Sequence, residues 1–249
     1  MGTPQQSTDV KKLTSAAIVI AFFAAFKFSK ADATVTIKSV FEKMKAGFAN
    51  LSAEVATPPT PQELVGYIFK ILAAVANLTP SVTFQELEGL AFNIYTAVTG
   101  GSAVDFALIW NEVKDLLHGK LTGTLQVVDI EGDTQLLIDG FVGTFAFGLS
   151  KIKDANAAQI VDEVVADIAA GLDSIDENTP PTEQQALQGL YDLLDAIDDF
   201  WGNKPFDTVK NIFEKLAKLV FGNASSVQIW WELFVGGIQA KHALKNVKA

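Results

Sequence analysis

The sequence Thr60-Pro61-Gln62-Glu63-Leu64 recurs in related form as Thr83-Phe84-Gln85-Glu86-Leu87 and as Thr182-Glu183-Gln184-Gln185-Ala186. In every copy a Glu or Gln stands three residues after the Thr. A Thr at the N-cap of a helix accepts a hydrogen bond from the third backbone N–H. The Glu or Gln side chain at that third position accepts one from the N–H of the Thr. The repeated sequence therefore predicts three helix starts.

The residues that follow each start repeat as well. Apolar side chains occur at the same offsets in the three copies, namely Phe69, Ile71, Ala74 and Val75, then Phe92, Ile94, Ala97 and Val98, then Tyr191, Leu193, Ala196 and Ile197. Such spacing forms an apolar stripe along one side of a helix. Weaker similarities link residues 36–44 to 208–216 and residues 57–60 to 179–182. Chance similarity between helix-rich segments is the alternative to duplication.

The spacing of the helix starts predicts the fold class. Starts near 36, 60, 83, 102, 134, 156, 182, 208 and 226 leave intervals of about two dozen residues, enough for one helix of roughly four to five turns and a short loop. We therefore expect an all-α fold of nine to ten antiparallel helices, arranged as a compact bundle or a short α-solenoid. Residues 34–249 would form a single helical-repeat domain, preceded by a separate segment at 1–33.

The apolar pattern also predicts the bounds of most helices. A Lys-rich amphipathic helix is expected at 34–55, with Val40, Phe41, Met44 and Phe48 facing inward. Further helices are predicted at 61–76, 84–98, 103–118, 157–175, 183–200, 208–221 and 226–243. Residues 121–139 are ambiguous, because 125–130 and 134–138 have the pattern of a β-hairpin. A similarity to the C-terminal region favours instead a helix from 134 to about 153.

The N-terminal segment 1–33 has a polar start followed by an apolar run at 13–28, in which Lys27 is the one charged residue. That run is shorter than the roughly 20 residues that a membrane-spanning helix needs. With Lys11-Lys12 before it and Ala31-Asp32-Ala33 after it, the run resembles a secretory leader with its cleavage site. The alternatives are a buried core helix and a helix lying in a membrane interface. The leader interpretation favours a secreted or extracellular location over a cytoplasmic one.

Composition narrows the classes of function. The chain of 249 residues has a net charge of −10, and none of its 19 basic residues is an Arg. Because Arg supplies most bidentate contacts to phosphates and base edges, nucleic acid is not expected as a partner. The absence of Cys rules out disulfides and thiolate chemistry. Hydrophobic residues make up 49% of the sequence, which indicates a large core together with surplus apolar surface.

Catalytic patterns are sparse in the sequence. Asp192, Asp195 and Asp199 share one face of a predicted helix, where their oxygens would suit a divalent cation, but a solvated acidic face explains the same spacing. The two His residues, His118 and His242, stand near predicted helix ends. No phosphate-binding loop or nucleophile motif is present. We therefore expect a protein that is not an enzyme and that has neither a cofactor nor a metal site.

Aromatic residues give the functional prediction, since the chain has 18 Phe and four Trp. The adjacent Trp230 and Trp231 project about 100° apart on a helix, so both cannot lie at the centre of one narrow stripe. The candidate ligand-binding residues are Phe141, Phe145, Trp230, Trp231 and Phe234. The sequence thus favours a non-enzymatic binding protein for an apolar ligand or lipid. The alternatives are a structural protein that assembles into a homo-oligomer or filament, and a helical protein that acts on membranes.

Overall fold

The computed structural model describes residues 4–77, 83–101, 103–114, 130–150 and 157–182, together with positions 184, 185, 188, 189 and 192. In these residues the chain forms eight α-helices and no β-strand. The helices are α1 (Pro4–Ala31), α2 (Ile37–Phe48), α3 (Leu51–Ala56), α4 (Pro61–Asn77), α5 (Phe84–Thr99), α6 (Ala103–Lys114), α7 (Ile130–Leu149) and α8 (Ala157–Asp173). The predicted all-α class is confirmed, whereas the predicted number of nine to ten repeated helices is not.

Two of the three repeated helix starts, at Thr60 and Thr182, carry the predicted capping hydrogen bonds, and the Glu86 side chain of the third lies outside the described residues. At Thr60, Glu63 N donates to the Thr hydroxyl at 3.2 Å, and Thr60 N donates to the Glu63 carboxylate at 2.7 Å. Thr182 and Gln185 form the same pair of bonds, at 3.2 and 2.9 Å. Each pair satisfies two main-chain donors that the first helical turn leaves without partners.

The predicted helix at 34–55 is two helices in the structure. Val40, Phe41, Met44 and Phe48 are buried along α2, as predicted. The helix then stops, because Asn50 N donates to Gly47 O at 3.2 Å in a tighter turn. Gly and Asn are both weak helix formers. Helix α3 starts at Leu51, whose side chain is fully buried.

Helix α7 resolves the ambiguous region in part. The second strand of the predicted hairpin, 134–138, is helical, so that hairpin is wrong. The helix begins at Ile130, four residues before the predicted start, with Glu131 and Asp133 in its first turn. Carboxylates there stabilise the positive end of the helix dipole. Thr134 is buried within the helix and does not cap it.

One apolar core joins the N-terminal helix to the middle of the chain. Helix α7 packs on α1, α2, α3 and α4, and α8 packs on α1, α2 and α3. The buried side chains of this core include Phe28 of α1, Phe48 of α2 and Ile168 of α8. The structure therefore places α1 as a core helix. The predicted cleavage after Ala33 and the domain boundary at 33/34 remain predictions.

Helix α4 also packs on α5 and α6, whose side chains form a cluster of aromatic rings. Phe106 and Trp110 of α6 stack at a centroid distance of 5.8 Å, and Phe69 of α4 meets Trp110 edge-on at 5.8 Å. None of the helices in the described ranges combines the length and the apolar character needed to cross a lipid bilayer.

Candidate ligand groove

The chain turns sharply after α8 and returns to α1. Asp176 accepts hydrogen bonds from Asn178 N, Asn178 Nδ2 and Thr179 Oγ1, each at 3.0 Å. These bonds, led by the one from the Asn178 main chain, lower the pKa of the Asp176 carboxyl. Pro180 and Pro181 then keep the chain extended up to the cap at Thr182.

Two glycines allow the chain to pass close to α1. A Cβ at Gly171 of α8 would overlap the side chain of Ile18, and a Cβ at Gly189 would lie 3.1 Å from Cγ1 of Val19. Such contacts leave no room for a larger residue unless the neighbour moves. Helix α1 is therefore approached both by α8 and by the helical residues 184, 185, 188, 189 and 192.

A groove of about 420 Å³ lies between α1 and a set of described residues that begins at Ile175 and ends at Asp192. Helix α1 contributes Ser15, Ala16, Ile18, Val19 and Phe22 to its lining. The opposite wall combines apolar and polar side chains, namely Ile175, Thr179, Pro180, Pro181, Gln185, Gln188 and Asp192, with Gly189 between them. The groove therefore has an apolar side on α1 and a mixed side facing it.

Among the described residues that line the groove, Asp192 is the one charged side chain and none is a Lys. Its Oδ1 accepts a hydrogen bond of 2.8 Å from Gln188 Nε2, one helical turn earlier. A carboxylate held in this way repels anions and attracts cations. The groove thus suits an apolar molecule whose polar end is neutral or positively charged.

The structure describes two of the five aromatic residues that were predicted to bind a ligand. Phe141 and Phe145 are buried in the core, each with 1% of its surface exposed, and neither lines the groove. Phe145 packs edge-on against Phe48 at a centroid distance of 5.3 Å. Trp230, Trp231 and Phe234 lie outside the described residues. Their part in ligand binding remains a prediction.

The structure likewise describes only some of the acidic residues considered as cation ligands. Asp192 lies in the groove, while Asp195 and Asp199 fall outside the described residues, as do His118 and His242. In the part of the chain that the structure describes, no three His, Asp or Glu side chains come together in a group that could hold a metal ion.

The groove residues were not identified from the sequence. The apolar run at 13–28 and the repeated Thr-Pro-Pro-Thr connector at 179–182 are both visible in it. Neither pattern says that the two segments face each other, since about 150 residues separate them. The sequence feature that could have pointed to the groove is the repeated proline connector next to a capped helix.

A buried polar contact lies away from the groove, where the end of α4 meets the start of α7. Asn77 Nδ2 donates to Asp133 Oδ1 at 2.7 Å, and the Asp133 side chain is fully buried. Because this carboxylate has no exposed surface, we assign it a role in holding α4 against α7.

The chain matches no protein-family model, no curated protein sequence and no solved structure. The groove and the chemistry of its lining are therefore the features from which a function is inferred.

Proposed function

We propose that this chain is a non-enzymatic binding protein for a small apolar or amphipathic molecule, such as a single-chain lipid, which it holds in the groove beside α1. The observation that carries the proposal is the lining: Ile18, Val19 and Phe22 form an apolar wall along a groove of about 420 Å³. Small-molecule sites in proteins are typically concave, mostly apolar and roughly 300–1,000 Å³ in volume.

The opposite wall supports an amphipathic ligand. Gln185, Gln188 and Asp192 lie one to two turns apart on the helical residues that follow the Thr182 cap. A few polar groups beside an apolar wall fix the orientation of a bound molecule. An apolar tail would lie against α1, and its polar end would lie beside Gln188 and Asp192.

The test is a substitution that fills the groove without disturbing the core. Ser15 is exposed and lines the groove, so Ser15→Phe places a ring where the ligand would lie. We expect the wild-type chain to bind a neutral apolar dye such as Nile red at a stoichiometry of one. The variant should bind at least about tenfold more weakly, a loss of roughly 1.4 kcal/mol. The measurement is a fluorescence titration.

The matched control is Thr96→Phe, which adds the same ring at an exposed position of α5 outside the groove. This variant should bind the dye like the wild-type chain. Equal dye binding by the wild-type chain and Ser15→Phe would rule out the groove as the site. Native mass spectrometry of the chain as purified would then show whether it carries an apolar molecule elsewhere.

A further inference from the structure

Beyond the groove, the outer face of α1 continues with a mixed aromatic and basic surface. Its four residues share an arc of about 100° on the helix, and we call them the α1 patch: Phe23, Phe26, Lys27 and Lys30. Both lysines are exposed and both phenylalanines are half-buried. The patch therefore presents apolar rings and positive charge together on one side of the helix.

Within the patch, each lysine is paired with the phenylalanine four residues before it. The Lys27 ammonium lies 5.1 Å from the centre of the Phe23 ring, and the Lys30 ammonium lies 5.5 Å from that of Phe26. At these distances the ring faces attract the cations. The pairing holds both charges at the level of the rings.

The positive charge of the patch is opposite in sign to the net charge of the chain. Residues 1–48 contain seven of the 19 Lys and only three of the 29 acidic residues, so this segment is basic in an otherwise acidic protein. Lys43 and Lys45 of this segment are neutralised locally, since Lys43 binds Glu131 and Lys45 binds Glu42 and Asp173. Lys27 and Lys30 take part in no ion pair with the described residues. The α1 patch therefore has positive charge available for an anionic partner.

We propose that the α1 patch binds the surface of a bilayer that contains anionic phospholipids. Lysines beside a membrane attract anionic headgroups, and half-buried aromatic rings lie at the boundary between headgroups and acyl chains. The long lysine side chains can remain at the headgroups while the rings lie deeper. Nucleic acid is a poorer match, because the chain has no Arg. This inference does not depend on the groove being filled.

The test is sedimentation of the full chain with vesicles of phosphatidylcholine alone or with added phosphatidylserine. We expect binding only when phosphatidylserine is present, and weaker binding as salt is raised above about 0.1 M. Because each lysine near such a surface adds about fivefold to the affinity, the double variant Lys27→Gln/Lys30→Gln should bind on the order of thirtyfold more weakly. Both positions are exposed, so the helical circular dichroism should not change.

The matched control is Lys43→Gln/Lys70→Gln, which removes the same charge from lysines that are paired with Glu131 and Asp139. Vesicle binding by this control should fall by less than about threefold, because those charges are already neutralised. If both double variants weakened binding equally, net charge alone would account for it and the patch would be excluded. Binding that is equally strong without phosphatidylserine would also overturn the proposal.

The absence of Cys permits a second, positional measurement. A single Cys introduced by Phe26→Cys can carry an environment-sensitive dye, and Thr96→Cys on α5 provides the same label away from the patch. On adding phosphatidylserine vesicles, the emission should shift to the blue only for the label at 26. An unchanged label at 26 on vesicle-bound protein would place the contact elsewhere. If the chain bound polyglutamate but not vesicles, the partner of the patch would be an acidic protein and not a membrane.

Discussion

At the scale of single residues, the contact between α4 and α7 depends on glycine. A Cβ on Gly143 would overlap the ring of Tyr67, and a Cβ on Gly140 would lie 2.7 Å from the main-chain oxygen of Tyr67. The same tyrosine is partly withdrawn from water, and this burial raises the pKa of its phenol. The two glycines therefore set how closely the two helices approach.

Replacing one of these glycines should separate the helices. We expect Gly143→Ala to destabilise the chain by about 1–3 kcal/mol, because the added methyl group forces the Tyr67 ring or the helix to move. The measurement is equilibrium unfolding in urea.

Gly89 of α5 is the control, since a Cβ there meets nothing within 4 Å. Gly89→Ala should stabilise the chain by about 0.5–1 kcal/mol, the usual gain for Ala over Gly inside a helix. If Gly143→Ala also stabilised the chain, the close approach of α4 and α7 would be contradicted.

At the scale of elements, the stability of a helix start depends on pH when a carboxylate takes part in its cap. The Thr60 main chain and hydroxyl both donate to the Glu63 carboxylate, which lowers the pKa of Glu63 below its ordinary value of 4.5. A carboxyl with a lowered pKa in the folded state contributes stability that is present above its ordinary pKa. That stability is lost as the pH falls through the lowered value. The start of α4 should therefore weaken below about pH 4.5.

The third copy of the repeated sequence supplies the variant that tests this link. It has Gln185 where the first copy has Glu63, and Gln185 makes the same capping bonds without titrating. We expect Glu63→Gln to keep the cap at pH 7 and to lose less thermal stability than the wild-type chain between pH 7 and pH 3. The measurement is thermal unfolding followed by circular dichroism at both pH values.

Removing the cap itself gives the reference for this experiment. Thr60→Ala should cost about 1 kcal/mol at pH 7, which is typical for an N-cap. Asp32 and Asp176 also have lowered pKa values, mainly through hydrogen bonds from main-chain N–H groups, so the wild-type chain and the Gln variant should both lose stability in acid. An identical loss in the two proteins would show that Glu63 does not contribute.

At the scale of the whole molecule, the groove exists because distant segments share one core. Helix α1 packs on α2, α7 and α8, and the turn after α8 brings Gln188 and Asp192 opposite Val19. The side of α1 that faces the groove continues into the α1 patch, which we propose to lie on a membrane. The two proposals are separable, since one concerns the groove lining and the other concerns exposed lysines.

The charge of the groove gives a prediction about ligand choice. Under the proposed function, the wild-type chain should bind dodecylamine more tightly than dodecanoate, because Asp192 attracts the ammonium group and repels the carboxylate. Asp192→Asn should reduce this preference by about tenfold, or 1.4 kcal/mol. Isothermal titration calorimetry with both compounds gives the ratio directly.

Asp167→Asn on α8 removes the same charge from an exposed side chain outside the groove. The preference for the amine should survive in this control. If the two variants behaved alike, the selectivity would come from the net charge of the protein and not from Asp192.

The sequence alone determined where several helices begin and which of their faces point inward. The Thr60 and Thr182 caps, the bounds of α4 and α5 to within one residue, and the four buried residues of α2 all agree with the prediction. Each depends on hydrogen bonds or apolar spacing within a few residues along the chain, so neighbouring residues suffice to specify it.

Only the tertiary structure decided which apolar surfaces meet. It placed α1 in the core, buried Phe141 and Phe145 among the helices around α7, and opened the groove between α1 and described residues such as Gln185, Gln188 and Asp192. An apolar stripe is the same in sequence whether it packs on another helix, a ligand or a membrane. The choice depends on contacts across about 170 residues, such as that of Gly189 with Val19, which no local pattern specifies.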